Sequence, residues 1–230
     1  MIYPFNACLI CGKKHVSNGI CTDCKEKLAH SSVHKCEKCG GFIVKEEAVC
    51  SWCQIERLHY IKEVETVAPY EGEYRRYILQ YKFRCKRGLA RPIGRLMAEQ
   101  IKNKPAFSNI DAIVAVPIHP ERLAERGYNQ SLLLAKTVGQ ELDLPVITKA
   151  LIRGINSNSQ SQFGRKERFK NIKGAFGVGP QIDQIRGKKI LLVDDIFTTG
   201  ATMSNCAKLL SEAGAKEIIG LTAAGAKLPF

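Results

Sequence analysis

The sequence has no long apolar run and few acidic residues for its number of bases. None of its 230 residues lies in a stretch that approaches the roughly 18 apolar residues a membrane-spanning helix needs. The N-terminus also lacks the basic start and apolar stretch of a secretory signal, so we expect a cytoplasmic protein. Since the cytosol keeps thiols reduced, disulfides are then a poor explanation for the ten cysteines.

The shortage of acids is uneven along the chain. Lys and Arg total 35 against 22 for Asp and Glu, a formal charge of +13. Residues 74–98 contain no acid, and residues 151–189 are also strongly basic. Such a balance suggests polyanionic partners, nucleic acid or phosphorylated ligands, without proving them.

Eight cysteines fall before residue 54 as four C-x2-C pairs that form an internal repeat. In each half, one pair is followed by a gap that opens with glycine, Gly12 or Gly40, and then by a second pair. We predict that two zinc ions are held, one by Cys8, Cys11, Cys21 and Cys24 and the other by Cys36, Cys39, Cys50 and Cys53. The sequence does not exclude an interleaved pairing.

These zinc sites are predicted to be structural, because four thiolates leave no coordination position open for a substrate water. Residues 1–60 would form a small module whose folding energy comes largely from its metals. The module is interpreted as a scaffold or docking surface, with a nucleic-acid reader as the alternative.

The stretch Ile190–Thr202 has the sequence ILLVDDIFTTGAT. It predicts a buried strand, then two acids, then small residues that lead into a helix. Backbone N–H groups at such a turn bind phosphate, and adjacent carboxylates accept hydrogen bonds from vicinal hydroxyls. Further strands at Asp111–Ile118 and Glu217–Ala223, with a helix at Tyr128–Leu142, indicate an α/β parallel sheet over residues 61–230.

This motif resembles the signature of the type I phosphoribosyltransferases. The resemblance implies that Asp194 and Asp195 hold the ribose hydroxyls of phosphoribosyl pyrophosphate, with Mg²⁺ beside the leaving pyrophosphate. Its 5′-phosphate would be cradled by Thr198, Thr199, Gly200, Ala201 and Thr202. The place of the family's pyrophosphate loop falls on residues 116–121, with the candidates Pro117, Ile118, Arg122 and Arg126. The implied fold is a type I phosphoribosyltransferase-like parallel sheet with helices on both faces, preceded by a small double zinc-ribbon-like module.

The whole order of motifs resembles the ComF family of bacterial competence proteins. Its marks are the cysteine pairs, Lys82-Phe83, Val116-Pro117 and the run from Glu125 to Gln130. The resemblance implies a protein that handles single-stranded DNA during natural transformation, beside a helicase-like translocase. An active Mg²⁺-dependent phosphoribosyltransferase with an unknown acceptor is the alternative, and a ligand-sensing protein is a third hypothesis.

The acid-free segment is the candidate DNA surface. Its candidate contacts are Arg75, Arg76, Lys82, Arg84, Lys86 and Arg87, with interleaved aromatic residues that would stack on unpaired bases. The competing interpretation is an amphipathic helix in which Tyr77, Ile78 and Tyr81 pack inward and the arginines are solvated.

A second basic segment, residues 153–170, lies where transferases of this fold carry a flexible loop. Its candidate pyrophosphate contacts are Arg153, Gln160, Arg165 and Arg168. The same segment is also compatible with a DNA contact or with a solvated loop.

Overall fold

The computed structural model describes residues 7–8, 10–14, 16, 19–29, 34–43, 48–50, 53, 59–83, 86–154 and 175–227. The N-terminal part contains helix α1 (Thr22–Ala29) and an antiparallel pair of short strands, β1 (His34–Lys35) and β2 (Phe42–Ile43). Gly12 and Gly40 have φ angles of +78° and +61°. Both glycines therefore adopt the left-handed conformation that glycine tolerates.

The rest of the described chain alternates strands and helices. Its elements are β3 (Val64–Pro69), α2 (Gly72–Phe83), α3 (Ala90–Ile101), β4 (Ala112–Ala115), α4 (Pro120–Arg126), α5 (Gln130–Leu142), β5 (Val146–Ile147), β6 (Leu151–Arg153), β7 (Phe176–Val178), β8 (Lys189–Phe197), α6 (Ala201–Glu212) and β9 (Glu217–Gly225). Short 3₁₀ turns lie at Arg87–Leu89, Pro105–Phe107 and Ile182–Ile185. Five strands form one parallel sheet in the order β3-β9-β8-β4-β5, and β6 and β7 form a separate antiparallel pair. The predicted parallel α/β fold is confirmed.

Helices cover both faces of this sheet, and the central strand β8 shows why. Leu191 and Val193 pack into the apolar layer that contains residues of α2, α3 and α5. Ile190 and Leu192 pack into the opposite layer, with residues of α6. Because successive side chains of a strand point to opposite faces, one continuous apolar run serves both layers.

Helix α2 decides between the two interpretations of the acid-free segment. Tyr74, Tyr77, Ile78 and Tyr81 are all buried. The Tyr74 hydroxyl donates to the carbonyl of Ala223 on β9 at 3.0 Å, and the Tyr81 hydroxyl donates to the carbonyl of Gln130 at 2.7 Å. The inward packing of the amphipathic-helix interpretation is therefore confirmed, and these tyrosines are not exposed for stacking on bases, whereas the role of the arginines stays a prediction.

Several predicted boundaries differ from the structure. β8 continues through the acids to Phe197 instead of ending at Val193, because β9 continues beside it. β4 ends at Ala115 instead of Pro117, and α5 begins at Gln130 after an Asn129 side-chain cap instead of at Tyr128. No helix among the described residues combines the length and the apolar character that crossing a membrane requires.

Candidate functional site

The candidate site is a cleft where two parallel strands separate. Pairing between β4 and β8 ends at Ala115 and Val193, whereas β8 continues along β9 as far as Phe197. Ligands of such sheets bind beyond the carboxyl ends of the strands. The cleft has a volume of about 260 Å³. Its lining residues are Tyr70, Lys82, Val116, Pro117, Ile118, Arg122, Arg126, Asn129, Gln130, Ser131, Arg153, Asp194, Asp195, Ile196, Thr198 and Thr202.

Asp194 is a buried carboxyl at the floor of the cleft. Its Oδ1 accepts hydrogen bonds from the Ser131 hydroxyl and from the backbone N–H of Asp195, both at 2.8 Å. Burial, reinforced by the negative charge of Asp195, raises the pKa of Asp194 to about 7. Near neutral pH this carboxyl is therefore able to hold or release a proton.

Asp195 is held by a lysine from another element. The Lys82 Nζ lies 3.0 Å from Asp195 Oδ1, and both side chains are largely buried. Lys82 is the penultimate residue of α2, so the buried tyrosines that fix this helix also fix the ammonium group. Lys82 was a candidate DNA contact by sequence, but the structure places it at the acid pair.

Three arginines face the acids from the other elements of the cleft. Arg122 and Arg126 lie on α4 and Arg153 lies at the end of β6. Desolvation lowers the pKa of Arg126 and of Arg153, and the charge of Arg122 lowers that of Arg153 further. The Nε of Arg153 is buried and has no hydrogen-bond partner within the described part of the chain. Guanidinium groups in this setting are suited to an anionic ligand.

The threonine-rich loop connects β8 to α6. Gly200 has a φ of +76° and precedes the first residue of the helix, Ala201. Thr198 and Thr202 line the cleft, and the backbone N–H of Ala201 donates to the Thr199 hydroxyl at 3.4 Å. A helix N-terminus beside a cleft is a place where backbone N–H groups bind phosphate.

The structure brings together most of the predicted ligand residues. Pro117, Ile118, Arg122 and Arg126 line the same cleft as the acid pair. Ser131, Gln130 and Tyr70 also line it but were not predicted. Ser131 lies in a helix whose apolar periodicity dominates the pattern, and its only sequence signal is its position just after the Asn129 cap.

The remaining DNA candidates are more scattered, and several have partners within the protein. Arg76 pairs with Glu73, Lys86 donates to the Gln80 side chain, and Arg87 donates to the carbonyl of Gly127. The Arg75 guanidinium lies 5.6 Å from the ring centroid of Tyr70. Arg84, Gln160, Arg165 and Arg168 lie outside the described residues.

The eight N-terminal cysteines form two groups of four, in sequential and not interleaved pairing. Within each group, all Sγ atoms lie within 4.8 Å of one another. The Sγ atoms of Cys11 and Cys21 are 3.7 Å apart, as are those of Cys39 and Cys50. Tetrahedral zinc with Zn–S bonds of about 2.3 Å places its ligand sulfurs about 3.8 Å apart. Both groups therefore fit a structural zinc ion, which four thiolates would close to substrate.

Comparison with known families agrees with both parts of this architecture. A family model described as a phosphoribosyl transferase domain matches residues 86–227. A model described as a double zinc ribbon domain matches residues 1–54. The predicted division of the chain after residue 60 falls between the two matches and stays a prediction.

Three relatives are similar over nearly their whole length. The chain is 28% identical over 216 residues to competence protein F of Haemophilus influenzae, covering 92% of this chain and 93% of that protein. It is 28% identical over 230 residues to competence protein ComFC of Streptococcus pneumoniae, covering 92% and 96%. It is 27% identical over 203 residues to the DNA utilization protein YhgH of Escherichia coli, covering 87% of each.

Proposed function

Because the chain belongs to the phosphoribosyl transferase domain family and carries a double zinc ribbon, we propose that its cleft binds a 5-phosphoribosyl ligand. The ligand we favour is phosphoribosyl pyrophosphate. One observation carries this proposal: the acid pair, the loop residues Thr198 and Thr202 and three arginines line a single cleft. In it, the acids would accept hydrogen bonds from ribose hydroxyls, while the arginines and the helix N-terminus would bind phosphates.

Magnesium fits this site as an ion that arrives with the ligand. Mg²⁺ prefers carboxylate and phosphate oxygens and usually keeps several waters. Of the two cleft carboxylates, Asp195 is already paired with Lys82, and Asp194 holds its proton up to about neutral pH. The ion would therefore depend on diphosphate oxygens, whose charge it would neutralise, more than on protein ligands.

In the cell, we propose a competence-related role in handling single-stranded DNA, in which the ribose-phosphate cleft serves as a recognition platform. The names of the relatives support this, as they refer to competence or to DNA use. The exposed bases of α2, Arg75 and Arg76, would supply phosphate contacts. The cytoplasm is where such a role and reduced zinc thiolates would be compatible.

Isothermal titration calorimetry with phosphoribosyl pyrophosphate and Mg²⁺ tests the ligand. The double variant Asp194→Ala, Asp195→Ala should bind at least ~100-fold more weakly, since each charge-assisted hydrogen bond contributes about 1.5–3 kcal/mol. Asp183→Ala is the matched control, because this acid is exposed and lies outside the cleft. Wild-type affinity in the double variant would refute the assignment.

Fluorescence anisotropy of a labelled single strand over a salt series tests the DNA role, with duplex as competitor. Arg75→Ala with Arg76→Ala should lower the salt slope by ~0.7 for each phosphate contact removed. Lys208→Ala, on α6, is the control. An unchanged slope in the double variant would place the DNA surface elsewhere, and absence of wild-type binding would refute this role.

Catalysis is the second candidate function, and the raised pKa of Asp194 favours it. A carboxyl that titrates to about 7 is suited to proton transfer at neutral pH. If it acts as the base for an acceptor, pyrophosphate release should rise as pH increases through 7, and Asp194→Asn should abolish that rise. Absence of pyrophosphate release across a panel of nitrogenous acceptors would contradict catalysis, and ligand binding would then be the remaining function.

The same pKa shift predicts a pH-dependent stability. A carboxyl whose folded pKa is raised contributes stability at low pH, and this stability is lost as pH increases from about 4 to the folded pKa. Asp194→Asn should therefore be more stable than wild type at pH 8 by roughly 2–4 kcal/mol and by much less at pH 5. Thermal unfolding at both pH values measures the difference, and an equal gain at both would contradict the shift.

A further inference from the structure

Phe83 is an aromatic side chain exposed at the end of an otherwise buried aromatic row. It is 62% exposed, whereas Tyr77 and Tyr81 of the same helix are 2% and 0% exposed. No other large apolar side chain among the described residues is as exposed, the next being Val178 at 51%. A single exposed apolar side chain is common on protein surfaces, so the position of Phe83 beside the cleft, and not its exposure alone, points to a ligand.

Phe83 lies at the rim of the ribose-phosphate cleft. Its neighbour Lys82 reaches into the cleft and pairs with Asp195. The guanidinium carbon of Arg126, a residue that lines the cleft, lies 4.7 Å from the centroid of the Phe83 ring. The two neighbouring side chains therefore lie in different places, with the Lys82 ammonium inside the cleft and the Phe83 ring at its mouth.

The geometry leaves one face of this ring for a flat group. Arg126 occupies one face, so the exposed area belongs mainly to the opposite face and the edge. A planar aromatic group on the open face would stack on the Phe83 ring, which would then lie between that group and the Arg126 guanidinium. Both the aromatic stack and the cation–π contact are favourable. Arginines and Lys82 close by would favour a group that carries phosphate.

We propose that Phe83 is the stacking platform for a nucleobase whose ribose phosphate occupies the cleft. This rests on the proposed function and extends it, because it gives the cleft a ligand with a base attached to the sugar. The base belongs to either of two sources with the same chemistry, a free mononucleotide or the terminal nucleotide of a single strand. Stacking uses the face of the base, so the platform accepts all four bases.

The first test compares ligands with and without a base. Calorimetry should show that wild type binds AMP about 5- to 150-fold more tightly than ribose 5-phosphate, from a stacking contribution of about 1–3 kcal/mol. Phe83→Ala should remove most of this difference, and Phe83→Trp should keep it. Val178→Ala is the matched control for loss of an exposed apolar side chain.

The second test reports stacking directly and separates the two sources. 2-Aminopurine, whose fluorescence is quenched by stacking, is supplied either as its riboside 5′-monophosphate or as the 5′-phosphorylated first nucleotide of a single strand. Quenching of both probes by wild type and by Phe83→Trp, but not by Phe83→Leu, is expected for the shared platform. Quenching of one probe alone identifies the source.

The outcomes distinguish this proposal from the function it rests on. Equal affinity of wild type for AMP and ribose 5-phosphate, or equal weakening of both in Phe83→Ala, overturns the platform but keeps the cleft. AMP binding that depends on Phe83 without any ribose 5-phosphate binding keeps the platform and overturns the sugar site. Binding of neither ligand overturns both.

Discussion

The two cysteine groups have nearly the same sequence pattern but different surroundings. In the first group Cys11 is exposed, and a Cβ atom added at Gly12 would meet no atom within 4 Å. In the second group all four cysteines are buried, and a Cβ atom at Gly40 would lie 2.0 Å from the carbonyl oxygen of Val64. Both ribbons pack on the α/β part of the molecule, and three cysteines of the first lie in the apolar layer that contains α2 and α3. The difference lies at the first cysteine pair of each ribbon, where the turn of the first is open and that of the second is packed on β3.

The polar contacts of the two ribbons differ in the same way. The first ribbon meets α3 through an exposed pair, Lys25 with Glu99, at 2.7 Å. The second sends Lys35 to Glu65 of β3, a carboxylate that is 4% exposed and also contacts Lys104 and Gln100. Burial favours the neutral carboxyl, but the two lysines outweigh it and lower the pKa of Glu65.

The second ribbon also supports the strand beside the acid pair. A Cβ atom at Gly225 would lie 3.2 Å from the Phe42 ring, so the ring packs closely on the end of β9. Gly225 is paired with Phe197, and Thr222 with Asp194. Because β9 is the only strand beside this end of β8 among the described residues, the second ribbon is part of the support of the candidate site.

Loss of the second metal should have the largest effect. Cys36→Ser with Cys39→Ser removes two thiolates from a buried site and should cost at least ~5 kcal/mol, with loss of phosphoribosyl pyrophosphate binding. Cys8→Ser with Cys11→Ser should cost less, because Cys11 is exposed, and should retain ligand binding. Zinc content, thermal unfolding and calorimetry on each variant measure this. An equal loss of stability and ligand binding in both variants would contradict the difference between the two ribbons.

The paired glycines offer a test that leaves every zinc ligand in place. Gly40→Ala combines a positive φ with overlap on a backbone carbonyl, so we expect a loss of about 3–5 kcal/mol. Gly12→Ala has only the positive φ and should cost about 1–2 kcal/mol. Denaturant unfolding of the zinc-loaded proteins gives both values, and a larger loss for Gly12→Ala would contradict the packing described for the second ribbon.

The ion pairs of Glu65 and Glu99 should show the smallest difference in stability between the two ribbons. Glu65→Gln leaves two lysines without their buried counter-charge and should cost about 2–3 kcal/mol of folding free energy. This is less than the usual cost of breaking a buried ion pair, because both ammonium groups can reach water. Glu99→Gln removes an exposed pair and should cost less than about 1 kcal/mol. Chemical denaturation at low and high salt separates them, since only the Glu99 contribution should be screened strongly.

Local patterns were sufficient to predict the fold class and the two groups of four cysteines. The strand before Asp194, the threonine-rich turn and the helix after it are contiguous, so their order alone predicts a phosphate loop on a parallel sheet. Cysteine spacing likewise predicts two four-thiolate sites, because a C-x2-C turn brings both sulfurs to one metal. Helical periodicity in α2 was compatible with a buried apolar face and with an exposed DNA surface. Aromatic residues that pack inward and aromatic residues that stack on bases would have the same spacing along the helix.

What the sequence alone determined is therefore which groups are present and how neighbours along the chain are arranged. Only the tertiary structure decided that Lys82 pairs with Asp195, that Ser131 supports Asp194 and that the tyrosines of α2 are buried. It also decided how closely each ribbon packs on the sheet and its helices. These contacts join residues far apart in the chain, and their geometry depends on how whole elements pack, which no local pattern records.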